Sequence, residues 1–355
     1  MKLLVSAASL RVSAACCVSA LLFWTAAVSA DIGSSGQMLL LQGAGATFPA
    51  PLYKRWIKVY SDERPQVQIK YDAIGSGEGI QRFLAHAVDF GASDAALNDE
   101  QLAAAGEGVK MIPATAGLIA LAYNLPGITE PLKLKRDVYV DMLLGRIKRW
   151  DDPRIAASNP GLTLPKRDIV RVVRRDSSGT TYAFTNHLSA ISNDWRDRGP
   201  GVGKIVDWPG NAMAAPGNEG VSARIRLSVG AIGYVEYGQA RRLGLAMALL
   251  ENAAGQFVAP AETSGQAALK NNLSAMPANL RLFLPDPKGE EAYPIVTLSW
   301  LLLYPRYDGA GRADAVKDFV TWGLTEGQTH SRELGFLPLP DELLRLSRSA
   351  VASIH

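Results

Sequence analysis

Apolar segments that read alternately as strand and helix run along almost the whole chain, and that rhythm leaves few folds open. MLLLQ (38–42) is strand-like and precedes a glycine turn and a helical pattern with Leu52, Trp56 and Tyr60 on one face. VQIKYDA alternates Val67, Ile69 and Tyr71, and a helical IQRFLAHAV follows it. DIVRVVRR (168–175) reads as a strand before a helical TYAFTNHLSAI, and VSARIRLSV (221–229) as a helix before the strand AIGYVEY (231–237). YPIVTLSWLLLY (293–304) is an apolar strand ahead of the amphipathic ADAVKDFVTWGL. This order predicts α/β sheets with helices on their faces. The stretches Gly199–Gly217 and Ala253–Leu282, rich in Gly, Pro, Asn and Ala, are expected as loops. At 355 residues the chain can hold two cores rather than one.

The first thirty residues stand apart. Lys2 and Arg11 supply charge, VSALLFWTAAV (18–28) is a short apolar run, and VSA ends at Ala30. That is the pattern of a secretory signal cleaved near Ala30, which sends the chain to the periplasm. Cys16 and Cys17, the only cysteines, lie inside it and precede the main apolar run, against a lipid-modified cysteine start. The exported chain would then rely on packing without disulfides. The signal holds two of the 37 basic residues and none of the 34 acidic ones, so the remainder is nearly neutral. Near-neutrality argues against a nucleic-acid partner, whose binding rests on clustered basic charge.

Three loops share one design: a strand end, a small flexible turn, a hydroxyl and a helix start. They are GAGATFPAP (43–51), IGSGEGI (74–80) and RRDSSGTTY (174–182). Helix N-termini offer unpaired N–H groups and partial positive charge, glycine lets the backbone approach a ligand, and Ser or Thr adds donors. Singly, each reads as an ordinary N-cap; together they suggest anion seats at the carboxyl edge of a sheet. GAGATF lacks the lysine of a phosphate-binding P-loop, and no GxGxxG fingerprint is complete, so no cofactor is expected. The four histidines, His86, His187, His330 and His355, give no metal-ligand spacing. VDFGASDAAL (88–97) ends a buried-looking strand at Asp94, which alone reads as an Asx-turn.

GAGATFPAPLY, IGSGEGI, VDFGASDAAL, GRIKRWDDPRI, NPGLTLP, VVRRDSSGTTYAFT and GNEGVSARI…GAIGYVEY, in this order, resemble the periplasmic phosphate-binding protein of the high-affinity phosphate ABC transporter. The resemblance covers nearly the whole exported chain. It implies a two-domain periplasmic-binding-protein fold with a two-stranded hinge and a ligand cleft between the domains. Domain I would be discontinuous, 31–115 and 292–355, with domain II at 116–291 and crossings near IPATAG and EAYPIV. It also implies a monomer that binds inorganic phosphate and serves membrane permease subunits. Carried over residue by residue, the phosphate ligands are Thr47 and the Phe48 N–H, Ser76, Asp94, and Arg174, Ser178, Gly179 and Thr180, with Asp176 supporting Arg174. Two positions depart from the family pattern: Ser177 replaces a usual glycine, and Glu78 adds a negative charge near the second seat.

Under this resemblance Asp94 is the specificity element. Phosphate near neutrality keeps a proton and sulfate keeps none, so an ionised carboxylate can bond one and meets only lone pairs on the other. Two other readings remain open from sequence. One is a secreted hydrolase, such as a phosphatase, with Ser178 as nucleophile and Asp176 and His187 nearby; no G-x-S-x-G elbow supports it. The other is a binder of sulfate or molybdate, which Asp94 opposes. His187, Trp150 and Trp208 are expected as packing residues, His187 alternatively at the surface, and Lys133–Arg136 as a solvated face.

Overall fold

The computed structural model describes residues 38–106, 108–273 and 276–355; the expected signal segment and both cysteines lie outside them. In chain order the strands are β1 (Leu39–Gly45), β2 (Val67–Ala73), β3 (Phe90–Ser93), β4 (Lys110–Tyr123), β5 (Lys133–Leu134), β6 (Val170–Arg174), β7 (Met213–Ala215), β8 (Ala231–Glu236), β9 (Ala246–Met247), β10 (Leu249–Glu251), β11 (Phe257–Val258) and β12 (Val296–Leu303). The main sheet runs β2-β1-β3-β12-β4-β8-β6-β7, with β9 also on β4, and a small sheet joins β11-β10-β5. β1 is parallel to β2 and β3, and β6 is parallel to β7 and β8. β4 joins the two parallel sets. Its Lys110–Leu118 stretch lies antiparallel to β12, and its Ile119–Tyr123 stretch antiparallel to β8. Thirteen of its fourteen residues are buried, as an apolar strand covered on both faces requires.

Helices cover the sheet where one face of the sequence is apolar. Ala50–Glu63 buries Leu52, Tyr53, Trp56 and Tyr60, and Trp56 donates its indole N–H to the Gly327 carbonyl at 2.7 Å. Trp150 is fully buried and donates to the Gly230 carbonyl at 2.9 Å. Trp208 packs on Trp195 and Tyr234, so both tryptophans are packing residues as expected.

Two expectations fail and a third holds only in part. Gly199–Gly217 contains β7, and Ala253–Leu282 contains β11 and the helix Glu262–Asn272. That helix has no large apolar stripe; it buries Ser264, Gly265, Ala268 and Leu269. A methyl group on Gly265 would come within 2.7 Å of Leu337 and 2.9 Å of Leu118, so small residues, not bulky ones, seat this helix. Lys133–Arg136 is solvated only in part: Lys133 and Lys135 are exposed. Leu134 is fully buried, and Arg136 forms a two-pronged pair with Asp286 at 2.9 and 2.7 Å. A side chain paired in this way at 24% exposure is part of the fabric.

His187 is buried, with Nε2 2.7 Å from the Tyr139 hydroxyl and Nδ1 2.7 Å from the Pro285 carbonyl. A carbonyl only accepts, so Nδ1 carries the proton and Nε2 accepts from tyrosine. Burial pushes this imidazole down to about 4, against the smaller opposing pull of the Pro285 carbonyl. Between that value and the ordinary 6.5 the unfolded chain binds a proton that the folded chain refuses. Stability from this group is therefore present above pH 6.5 and lost as pH falls towards 4, up to about 3 kcal/mol. Burial moves the carboxyls of Asp94 and Glu236 up to about 7, and they act in the opposite direction, so the readout is a difference between proteins. Denaturant midpoints of wild type and His187→Gln from pH 7.5 to 4.5 should converge as pH falls; parallel curves would show that His187 does not carry this dependence.

Candidate functional site

The carboxyl ends of the parallel strands gather the candidate residues. β1 runs into Ala46–Pro49, β2 into Gly75 and the helix Ser76–Leu84, and β3 into Asp94. From the other parallel set, β6 runs into the helix Gly179–Ile191 and β7 into the helix Gly217–Leu227. Helices that start at such an edge aim their first N–H groups across it.

The two sets meet at Gly179. A methyl group there would lie 2.3 Å from Ser76 Oγ and 2.8 Å from both the Cβ and the N of Asp94. Glycine is required for this close approach. Ser178 caps the same helix: its Oγ accepts from the Thr181 N–H at 3.0 Å. The N–H groups of Gly179 and Thr180 are then left outside the helical ladder. Ser76, Ser178 and Thr180 are buried, and Ser76 Oγ accepts from the Asp94 N–H at 3.2 Å. Thr47 stands across from Gly217, which opens its helix at φ +64°, a conformation that favours glycine. The Phe48 ring is fully buried against Phe336, edge to face, and this anchors the backbone of the first loop. Beside these residues is a cleft of about 400 Å³ whose walls include Thr47, Lys54, Tyr71, Asp176, Gly217 and Glu219.

Arg174 is the buried cation of the site, with its side chain 1% exposed. Nε donates to Asp176 Oδ1 at 2.8 Å, and Nη2 donates to Asp176 Oδ2. Nη1 turns the other way and donates to Thr180 Oγ1 at 3.3 Å. Burial raises the Asp176 carboxyl, but the Arg174 hydrogen bonds and charge and the Gly217 N–H outweigh it and hold the group below its ordinary value. Asp94 is 1% exposed. Burial pushes its carboxyl up to about 7, although the Ser299 hydroxyl, donating to Oδ1 at 2.8 Å, and the charge of Arg174 pull it down. Its Asx-turn role goes to a neighbour: Ser93 Oγ accepts from the Ala95 N–H.

All eight expected ligands and Asp176 thus lie around one edge of the sheet. Two departures from the family pattern also find their places. Glu78 points to Arg82, with which it pairs at 3.1 Å on the exposed face of its helix. The Ser177 carbonyl accepts from the Gly77 N–H at 2.9 Å, tying the second loop to the third. A hydrolytic triad is not assembled, because both ring nitrogens of His187 are held by Tyr139 and Pro285. Sequence reasoning missed Ser299 and Asn218. Asn218 Nδ2 lies 3.1 Å from Thr47 Oγ1 and 3.2 Å from Thr180 Oγ1. Its signal was the Pro-Gly pair of APGNEG, another turn followed by a helix.

A family model described as PBP superfamily domain matches residues 25–326. The phosphate-binding protein PstS of Pasteurella multocida is 39% identical over 310 residues, 87% of this chain and 89% of that protein. Among solved structures, a phosphate-binding protein from Stenotrophomonas maltophilia superposes with a TM-score of 0.72 at 21% identity, covering 87% of this chain and 93% of that one. A high affinity periplasmic phosphate-binding protein (PfluDING), solved with phosphate, gives 0.71 at 22% identity over 88% and 93% of the two chains. These likenesses show the two-domain periplasmic-binding-protein fold. By sequence and by fold, the chain belongs to the phosphate-binding protein PstS family of the PBP superfamily.

Proposed function

We propose that this chain is an extracytoplasmic receptor that captures inorganic phosphate between its two lobes and delivers it to the membrane permease subunits of an ABC-type transporter. It does so without catalysis, as a monomer in the periplasm, after the signal is removed near Ala30. The observation that carries this reading is a carboxylate, Asp94, set among the donors of Thr47, Ser76, Arg174, Ser178 and Thr180. The Phe48 and Gly179 N–H groups complete the donor set.

The donors hold the anion. Charge-assisted hydrogen bonds of roughly 1.5–3 kcal/mol each can sum to about −8 kcal/mol, or micromolar binding, after ordering costs. Asp94 selects. Ionised, it accepts the phosphate O–H; facing sulfate it has no proton to accept and meets like charge. A site built to bond a ligand O–H rejects the analogue lacking it by roughly 10⁴–10⁵. The lobes are 31–115 with 292–355, and 116–291. That division is supported by the switch of β4 from β12 to β8 after Leu118, and by the Ile119 N–H to Ile295 carbonyl bond beside it.

Calorimetric titration of phosphate-stripped residues 31–355 should give one-to-one phosphate binding, with sulfate at least about 10³-fold weaker. Equal affinity for the two anions would remove Asp94 as selector, and no binding of either would remove the receptor reading. Asp94→Asn, which can donate where Asp94 only accepts, should bring the two anions to within about tenfold. Sulfate also tests the proton directly, because it does not titrate in this range. As pH falls from 8 to 5.5, Asp94 passes its value of about 7 and gains an O–H that can donate. Sulfate affinity should therefore rise on acidification in wild type and stay flat in Asp94→Asn; matching profiles would assign the effect to another group.

A further inference from the structure

Asn218 is 3% exposed and sits in the first turn of the helix Gly217–Leu227, between the Thr47 loop and the Thr180 helix. Its Oδ1 accepts from the Glu236 N–H at 3.0 Å. A backbone N–H can only donate, so the amide orientation is fixed and Nδ2 must face the threonines. The two hydrogens on Nδ2 are then both assigned, one to Thr47 Oγ1 and one to Thr180 Oγ1.

Counting lone pairs gives the consequence. A hydroxyl oxygen accepts two hydrogen bonds and donates one. Thr47 Oγ1 accepts from Asn218 Nδ2 at 3.1 Å and from the Asn218 backbone N–H at 3.3 Å. Thr180 Oγ1 accepts from Asn218 Nδ2 at 3.2 Å and from Arg174 Nη1 at 3.3 Å. Both lone pairs of each oxygen are occupied by groups that cannot accept. Neither hydroxyl can turn its proton inward, so each O–H is available only to something outside this cluster.

We infer that Asn218 is a positioning residue: it sets the polarity of Thr47 and Thr180, so that both hydroxyls are committed to donate to the bound oxyanion. This rests on the phosphate reading of the same site. Without Asn218, each hydroxyl could spend part of its population as an acceptor, and a ligand oxygen facing it would meet a lone pair. Because the side chain contacts residues of both loops, it also ties the orientation of one donor to that of the other.

The test is a double-mutant cycle read as phosphate Kd by calorimetry, with ligand-free thermal unfolding to confirm that each protein folds. Asn218→Ala should weaken phosphate binding at least about tenfold in wild type and less than about threefold in Thr47→Val/Thr180→Val, where no hydroxyl remains to orient. Asn218→Asp keeps the shape and the Glu236 contact but offers the threonines an acceptor. Its effect should exceed that of Asn218→Ala in wild type and shrink in the double-valine protein. A role that is merely structural predicts the same loss in both backgrounds, and that additivity, or an unchanged Kd in Asn218→Ala, would overturn the inference. If wild type itself binds no phosphate, the reading of the site fails. If wild type binds and the cycle is additive, only the role of Asn218 fails.

Discussion

The Arg174–Asp176 pair is the interaction on which the site depends. A guanidinium buried to 1% exposure is costly unless matched, and one carboxylate held in a two-pronged geometry matches it. That geometry also aims what remains. With Nε and Nη2 directed at Asp176, Nη1 is turned towards Thr180. The carboxylate is fixed in turn by the Gly217 N–H at 2.8 Å, so the third loop and the β7 turn are braced as one body. The charge proposed to meet an incoming anion is therefore held in place by the protein itself, which would leave little ordering to be done on binding.

Asp94 then presents the opposite problem, a negative group where a negative ligand is proposed to sit. The contacts around it limit its cost without cancelling its charge. Ser299 donates to Oδ1 only, so one carboxylate oxygen is satisfied and Oδ2 stays available to a ligand proton. Burial and the two favourable contacts pull in opposite directions and leave the group poised near 7. A carboxylate poised there can keep or take a proton at small cost, which suits a ligand whose own protonation changes over the same range. A cage of donors alone would bind sulfate equally well; one acceptor among them is what makes the proposed site selective.

Much of this was legible in the sequence because small residues carry the information. GAGATF, IGSGEG and DSSGTT advertise turns into helices, and each does open a helix at the strand edge. Strand periodicity placed β1, β2, β6, β8 and β12. The helix Glu262–Asn272 was lost because it packs through glycine and alanine, which leave no apolar period. Arg136 was lost because its partner, Asp286, is 150 residues away. Asn218 and Ser299 share that difficulty. Asn218 follows a Pro-Gly turn that marks a helix start but no hydroxyl seat, Ser299 lies within an apolar strand, and each matters through an atom brought to it from another segment.

Ser299 shows how the frame controls the chemistry. The register of β12 against β4 shifts between Ser299 and Trp300, an irregularity of the kind that re-aims a side chain. Ser299 is thereby held against Asp94, while Trp300 is buried and donates its indole N–H to the Leu280 carbonyl at 2.8 Å. Thr297, two residues earlier on the same strand, donates to the Leu298 carbonyl at 2.9 Å and has the Asp94 carbonyl 3.4 Å away. The proposed selector is thus fastened by Ser299 to a fully buried strand, whereas Thr180 and Arg174 come from the other parallel set. Relative movement of the two sets would carry donors to or from Asp94 without breaking its bond to Ser299. On the proposed reading, selection would rest with the set that holds Asp94 and capture with the donors of the other, which would let one change without the other.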